Sequence, residues 1–194
     1  MKYKRTGSIV ENYKQVAEDD PRYTLEYGLE SMLQTWTLQD VLTFEMNEEK
    51  FGMDTAVDMY AELWRRRSYY EFYDLKNQIG VPRDQQLTMA ELMQMIVIYF
   101  NAFGNPFEIV QNGPDVFEGH VSDCPYTTQI VWKLFDKERA DHFNEAVQVA
   151  CNTMIFEEFL RLANLDKQWL FSFGNQVCRY GGFCSFIFRK KIPE

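Results

Sequence analysis

The chain has 194 residues, 46% of them hydrophobic and 16% aromatic, which is enough for one domain with a sizeable core and unlike a disordered composition. A net charge of −9 opposes a phosphate backbone, so no nucleic-acid partner is expected. The longest apolar run, residues 95–100, is far short of the ~20 residues of a membrane span, and no apolar core follows the basic residues 2–5. The expectation is a cytoplasmic protein with no membrane partner and with reduced thiols.

The first half reads as helical. Ile9, Tyr13 and Val16 form a weak stripe that starts near Ser8. After Pro21, the apolar residues Leu25, Leu29, Met32, Leu33 and Trp36 recur at helical spacing, and the pattern continues to about Glu49. Gly52 suits a helix stop, and Asp54 is expected to cap a long helix over 54–79. Thr88 and Glu91 have capping-box spacing and open a helix that runs to about Phe103. The carboxylates Glu45, Glu48, Glu49 and Glu62 read as solvated helix-face residues, and so does the run Arg65-Arg66-Arg67.

Past Pro106 the period changes to two. Residues 107–110 and 115–121 predict strands around Asn112-Gly113, a strong hairpin signal. Helical spacing returns over 126–135 and 137–163, and two further strands are predicted near 168–178 and 183–189, joined at Tyr180-Gly181-Gly182. The predicted fold is α+β: a helical portion, 1–105, then an antiparallel sheet of two hairpins with intervening helices, 106–194, together forming one compact domain.

All four cysteines lie in the last third of the chain, at positions 124, 151, 178 and 184. Their intervals match no standard zinc module. Cys124 precedes Pro125 at a predicted helix start, where the helix dipole favours thiolate, while the adjacent Asp123 opposes it. His120 shares a strand face with Val116 and Glu118, near enough in sequence to join a site with Cys124. Cys184 shares a face with Phe186 and Phe188, which is expected to point inward.

Asp123-Cys124, the mid-helix Cys151 and the stretch Gly182-Phe183-Cys184-Ser185-Phe186-Ile187-Phe188-Arg189 together resemble the L-2-amino-thiazoline-4-carboxylic acid hydrolase family. Glu48-Glu49-Lys50-Phe51-Gly52, followed by Ala56 and Trp64, is similar to a related bacterial and archaeal group. The resemblance is best over 116–190 and weaker over 36–80. It implies an α+β fold and hydrolysis of a small cyclic C–N compound at a cysteine-centred site, with Asp123, Cys124, Cys151 and Cys184 at the matching positions. Where the family has aspartates after its helix and strand cysteines, this chain has Met154 and Ser185.

On the enzyme reading, Cys124 is nucleophile or ligand, and Asp123 and His120 are the acid/base candidates. Cys124, Cys151 and Cys184 are the candidate ligands for a divalent metal such as zinc. The alternative is a non-catalytic ligand-binding or accessory protein, similar to vinyl-reductase-type ligand-binding domains. There Trp132, Trp169, Phe171, Phe173, Phe186 and Phe188 would line an apolar pocket or a homodimer surface.

Overall fold

The computed structural model describes residues 7–192, apart from the side chains of Pro125, Tyr126, Gln129 and 151–154. The chain divides into two units, Met1–Thr43 and Phe44–Glu194. In the first, helix α1 (Ile9–Asp19) starts at Ser8, whose hydroxyl accepts the Glu11 N–H at 3.3 Å. Helix α2 (Leu25–Phe51) begins in this unit and ends in the second. At its Gly28 the ring of Tyr13 from α1 packs against the backbone: a Cβ there would lie 2.6 Å from the ring.

The second unit carries the expected α+β fold. Helix α3 (Met53–Gln78) follows Gly52, which has φ 84°. Asp54 was expected to cap this helix. It lies instead inside the first turn, because glycine at the N-cap supplies the sharp reversal and no side chain caps it. Helix α4 (Met89–Ala102) opens with the full capping box of Thr88 and Glu91.

Strands β1 (Phe107–Asn112) and β2 (Val116–Val121) form the Asn112-Gly113 hairpin, and the Gly113 N–H donates to the Val116 carbonyl at 2.9 Å. A π-helical segment, Pro125–Val131, continues into the short helix α5 (Trp132–Leu134). Helix α6 (Lys137–Val149), a second π-helical segment, Ala150–Glu157, and helix α7 (Glu158–Leu162) follow as one rod. Strands β3 (Trp169–Phe173) and β4 (Cys184–Lys190) complete an antiparallel sheet of order β1-β2-β4-β3.

Strand alternation gives the sheet one covered face and one open face. Phe107, Phe117, Val121, Trp169, Phe186 and Phe188 are buried on the covered face against α4 and the rod. Phe156 of the rod, fully buried, stacks on Phe171 at 4.6 Å and on Phe100 at 5.8 Å. Burying a side chain of this size contributes roughly 1.5–3 kcal/mol, so this aromatic layer is the main cohesion of the unit. At Gly119 a Cβ would come 2.1 Å from the Phe107 ring, so the glycine lets that ring lie flat across β2.

Three expectations need correction. The strand predicted over 168–178 ends at Phe173, and residues 177–180 form the short helix α8 (Val177–Tyr180). Gly174 begins the departure, and Asn175 closes the loop by donating to the carbonyls of Gly181 and Phe183 at 2.7 and 2.6 Å. Glu45 and Glu48 are not merely solvated: Glu45 takes a two-pronged bond from Arg139 at 2.5 and 2.7 Å, and Glu48 bonds His142 at 2.7 Å. Arg65 and Arg66 both pair with Glu62, whereas Arg67 pairs with Glu71 and lies over the Trp64 ring. No helix among the described residues is long and apolar enough to cross a membrane.

Candidate functional site

The Asp123-Cys124 step is first of all a helix start. The Cys124 sulfur accepts the Thr127 N–H at 3.5 Å, and the Thr128 hydroxyl lies 2.6 Å from Asp123 Oδ1 and 2.7 Å from the Cys124 carbonyl. Both side chains therefore satisfy donors in the first turn of Pro125–Val131.

Cys184 begins β4 opposite Val121, the last residue of β2, on the covered side of the sheet. Its sulfur accepts the Val177 N–H at 3.3 Å, which ties β4 to the first residue of α8. Burial pushes the Cys184 thiol up to about 12 despite that bond. Cys178, the next residue of α8, is also raised, chiefly by burial and then by the nearby Cys124; the Gln148 side chain, hydrogen-bonded to it, pulls the other way. Three of the four cysteines thus converge where β2 ends, α8 begins and β4 starts. Two of them are neutral thiols at physiological pH.

Cys178 faces a groove of about 410 Å3, within the range of small-molecule sites. One wall is aromatic, Trp132 and Phe135. The floor is Ala140 and Val177, and the polar rim is Lys137, Asp141 and Arg179. Trp132 is 44% exposed, a large apolar surface left open to solvent. Phe135 is braced from behind: the Arg139 guanidinium sits 4.3 Å from its ring centroid and is itself held by Glu45. Lys137 pairs with Asp141 one turn along α6, which leaves Arg179 as the rim cation without an ion pair among the described residues.

The predicted site residues do not all come together. His120 is on the open face of the sheet, where it bonds Glu118 at 2.8 Å and stacks on Phe183 at 4.3 Å; the thiols are on the covered side. Alternation along β2 makes this unavoidable, because Val121 and His120 must point oppositely. Ser185, directly opposite His120, donates to the same Glu118 carboxylate at 2.7 Å. A carboxylate bridging a serine and a histidine is the wrong order for nucleophile activation, which needs the imidazole in the middle. The two bonds hold the Glu118 carboxyl below its usual range, His120 contributing most.

Among the described residues no group of three or more His, Cys, Asp or Glu side chains is placed to hold a metal ion. Cys124 and Cys184 therefore do not fit a zinc site with any described third ligand, and the Cys151 side chain lies outside the described residues.

Sequence reasoning passed over Phe135, Gln148, Arg179 and the buried Asn144 of α6. Ala140, Asn144 and Gln148 follow one another at intervals of four along this helix. That spacing was the available signal.

The fold and groove define an α+β protein with a one-sided antiparallel sheet and a thiol-bearing cleft beside its helical layer. The chain matches no protein-family model, no curated protein and no solved structure.

Proposed function

We propose that this chain binds a small planar molecule in the groove at Cys178 and acts as a ligand-binding protein. The observation that carries the reading is the half-exposed Trp132, set beside a braced Phe135 at a cleft with a neutral thiol and a cation on its rim. An aromatic wall supplies stacking area, Val177 and Ala140 supply an apolar floor, and Arg179 offers a donor pair for a polar substituent. The raised thiols at Cys178 and Cys184 argue for packing and polarizable contact, not for attack on a substrate.

Native mass spectrometry of the purified protein tests this reading, together with tryptophan fluorescence of the wild type and of Trp132→Ala. A co-purifying organic mass, or quenching by planar aromatics that Trp132→Ala abolishes, is the expected result. Identical responses from the two proteins would remove the groove from consideration.

A second reading has its own observation. Cys124, with an amide donated to its sulfur at the head of a helical segment, is the thiol best prepared for nucleophilic attack. On this reading the protein is hydrolase-like, resembles the L-2-amino-thiazoline-4-carboxylic acid hydrolases, and uses Asp123 for proton transfer. Cys124→Ala would then abolish ring opening of an aminothiazoline carboxylate and leave ligand binding in the groove unchanged.

A further inference from the structure

The two edge strands of the sheet meet solvent differently. At β1, Asn101 takes the first amide N–H at 3.3 Å, and a bulge between Ile109 and Gln111 breaks the register with β2. With the exposed Glu108, these are ordinary means of keeping a free edge from pairing. Strand β3 has none of them: Trp169-Leu170-Phe171-Ser172-Phe173 keeps an unbroken register with β4 and carries no charge and no proline. The Gln168 carbonyl accepts the Lys191 N–H at 2.7 Å and the Gly174 N–H donates to the Ser185 carbonyl at 2.9 Å, so the even-numbered residues between them face β4. The odd-numbered ones face away. Trp169 donates its N–H to the Leu165 carbonyl at 2.9 Å, whereas the Trp169 carbonyl and both backbone groups of Phe171 and Phe173 have no partner among the described residues. The aromatic layer is open on the same flank. Phe156, Phe186 and Phe188 are buried, yet Phe171 and Phe173, which pack on them at 4.6–5.1 Å, are only half-buried.

We propose that β3 pairs with β3 of a second copy of this chain, antiparallel about a two-fold axis at Phe171. In that register the Phe171 N–H and C=O of each copy bond those of the other, and each Phe173 N–H donates to the Trp169 carbonyl of the partner subunit. The groups left open on one chain are thus the ones the second chain uses. The strand is close to palindromic in kind, with aromatic residues at 169, 171 and 173. A second copy therefore sets Phe171 against the partner's Phe171 and Trp169 beside the partner's Phe173, which closes both open flanks at once. An unrelated extended segment would satisfy the amides, but only the same aromatic alternation closes the ring layer. An uncharged strand also adds no repulsion at the seam, which matters in a chain of net charge −9. A five-residue seam is smaller than the ~1,200–2,000 Å2 of a permanent interface, so the dimer is concentration-dependent, with a Kd on the order of 10 µM. No residue of β3 lines the groove, and the pairing does not rest on a ligand there.

Sedimentation equilibrium of the full chain from about 1 to about 200 µM tests the proposal, with a mass expected to rise from 23.1 kDa toward twice that value. Two double variants test the register. Leu170, 55% exposed, and Ser172 lie on the open face, and the two-fold sets each opposite the other on the second copy. Leu170→Glu with Ser172→Glu places like charges across the seam and is expected to weaken the dimer at least about tenfold. Leu170→Glu with Ser172→Lys places opposite charges there and is expected to dimerise as well as the wild type. The change at 170 also faces Arg189 of β4, so it suits the fold. A wild-type protein that stays at 23.1 kDa throughout would overturn the proposal and leave the edge to an extended segment of another protein. Equal dimerisation of both variants would put the interface elsewhere, and equal weakening of both would disprove the register; either overturns the proposal. The wild-type series decides the first question without any variant.

Discussion

The two ends of the layer between sheet and rod are built on opposite rules. Under the middle of the sheet, Phe100, Phe156, Phe171, Phe186 and Phe188 pack ring on ring at centroid distances of 4.6–6.5 Å, with no polar side chain among them. Toward the groove, Asn144 and Gln148 are buried and Cys178 and Cys184 half-buried. An aromatic layer gains from every added contact and gives a unique packing. A buried carboxamide and neutral thiols contribute little cohesion, and the amide costs stability where it lacks a partner. The difference separates the part of the unit that holds the fold from the part left available for a ligand.

Exchanges at the two ends should therefore move stability in opposite directions. The largest effect is expected from Phe156→Ala, which removes a fully buried ring from the centre of the aromatic layer. A loss of about 3–5 kcal/mol in denaturant unfolding is expected. Asn144→Leu, which keeps the number of side-chain heavy atoms, is expected to raise stability by about 1–3 kcal/mol in the same experiment, because it removes a buried amide that has no hydrogen-bond partner among the described residues. If it lowers stability instead, the contrast between the two ends fails.

Titration sharpens the comparison further. Because the folded state holds Cys184 at about 12 and the ordinary value is 9.0, the fold favours the protonated thiol. Its contribution is complete below about pH 9 and declines as pH rises from there toward 12. Iodoacetamide labelling of Cys184 as a function of pH is expected to have its midpoint near 12 in the folded protein; a midpoint near 9 would mean that the thiol is not buried as described.

The smallest effect belongs to the open face. His120→Gln is expected to cost less than about 1 kcal/mol at neutral pH, because the Glu118 pair is solvent-screened. The Glu118 carboxyl should move back up toward 4.5. Since the folded state holds that carboxyl low, the stability it adds is present above its unfolded value and is lost as the pH falls; the variant lacks most of it. Carboxyl titration by NMR reads the change directly.

Much of the fold was legible because its signals are local. Asn112-Gly113, the Thr88–Glu91 capping box and the inward alternation of Cys184, Phe186 and Phe188 each need only a few residues, and each is found as expected. What escaped depends on contacts distant in sequence. The strand expected to run through Cys178 breaks after Phe173 because Asn175 ties off a loop on carbonyls six and eight residues ahead. His120 seemed close to Cys124 in the chain, yet strand alternation sends it to the other side of the sheet. Helix α6 carries a run of polar residues. Its Asn144 is nevertheless buried, since one flank of the helix meets Phe44 and Tyr60 and the next approaches α8. Helical spacing alone does not tell a buried amide from an exposed one.

The account turns on the groove at Cys178, and not the Asp123-Cys124 helix start, being the binding site. The most direct measurement is the alkylation rate of Cys178 and Cys124, each quantified by peptide mass spectrometry, with and without saturating benzamide. Protection of Cys178 alone is the predicted result, since that thiol faces the groove while Cys124 is engaged as a helix cap. Protection of Cys124 with Cys178 unaffected would contradict the account and move the site to the helix start.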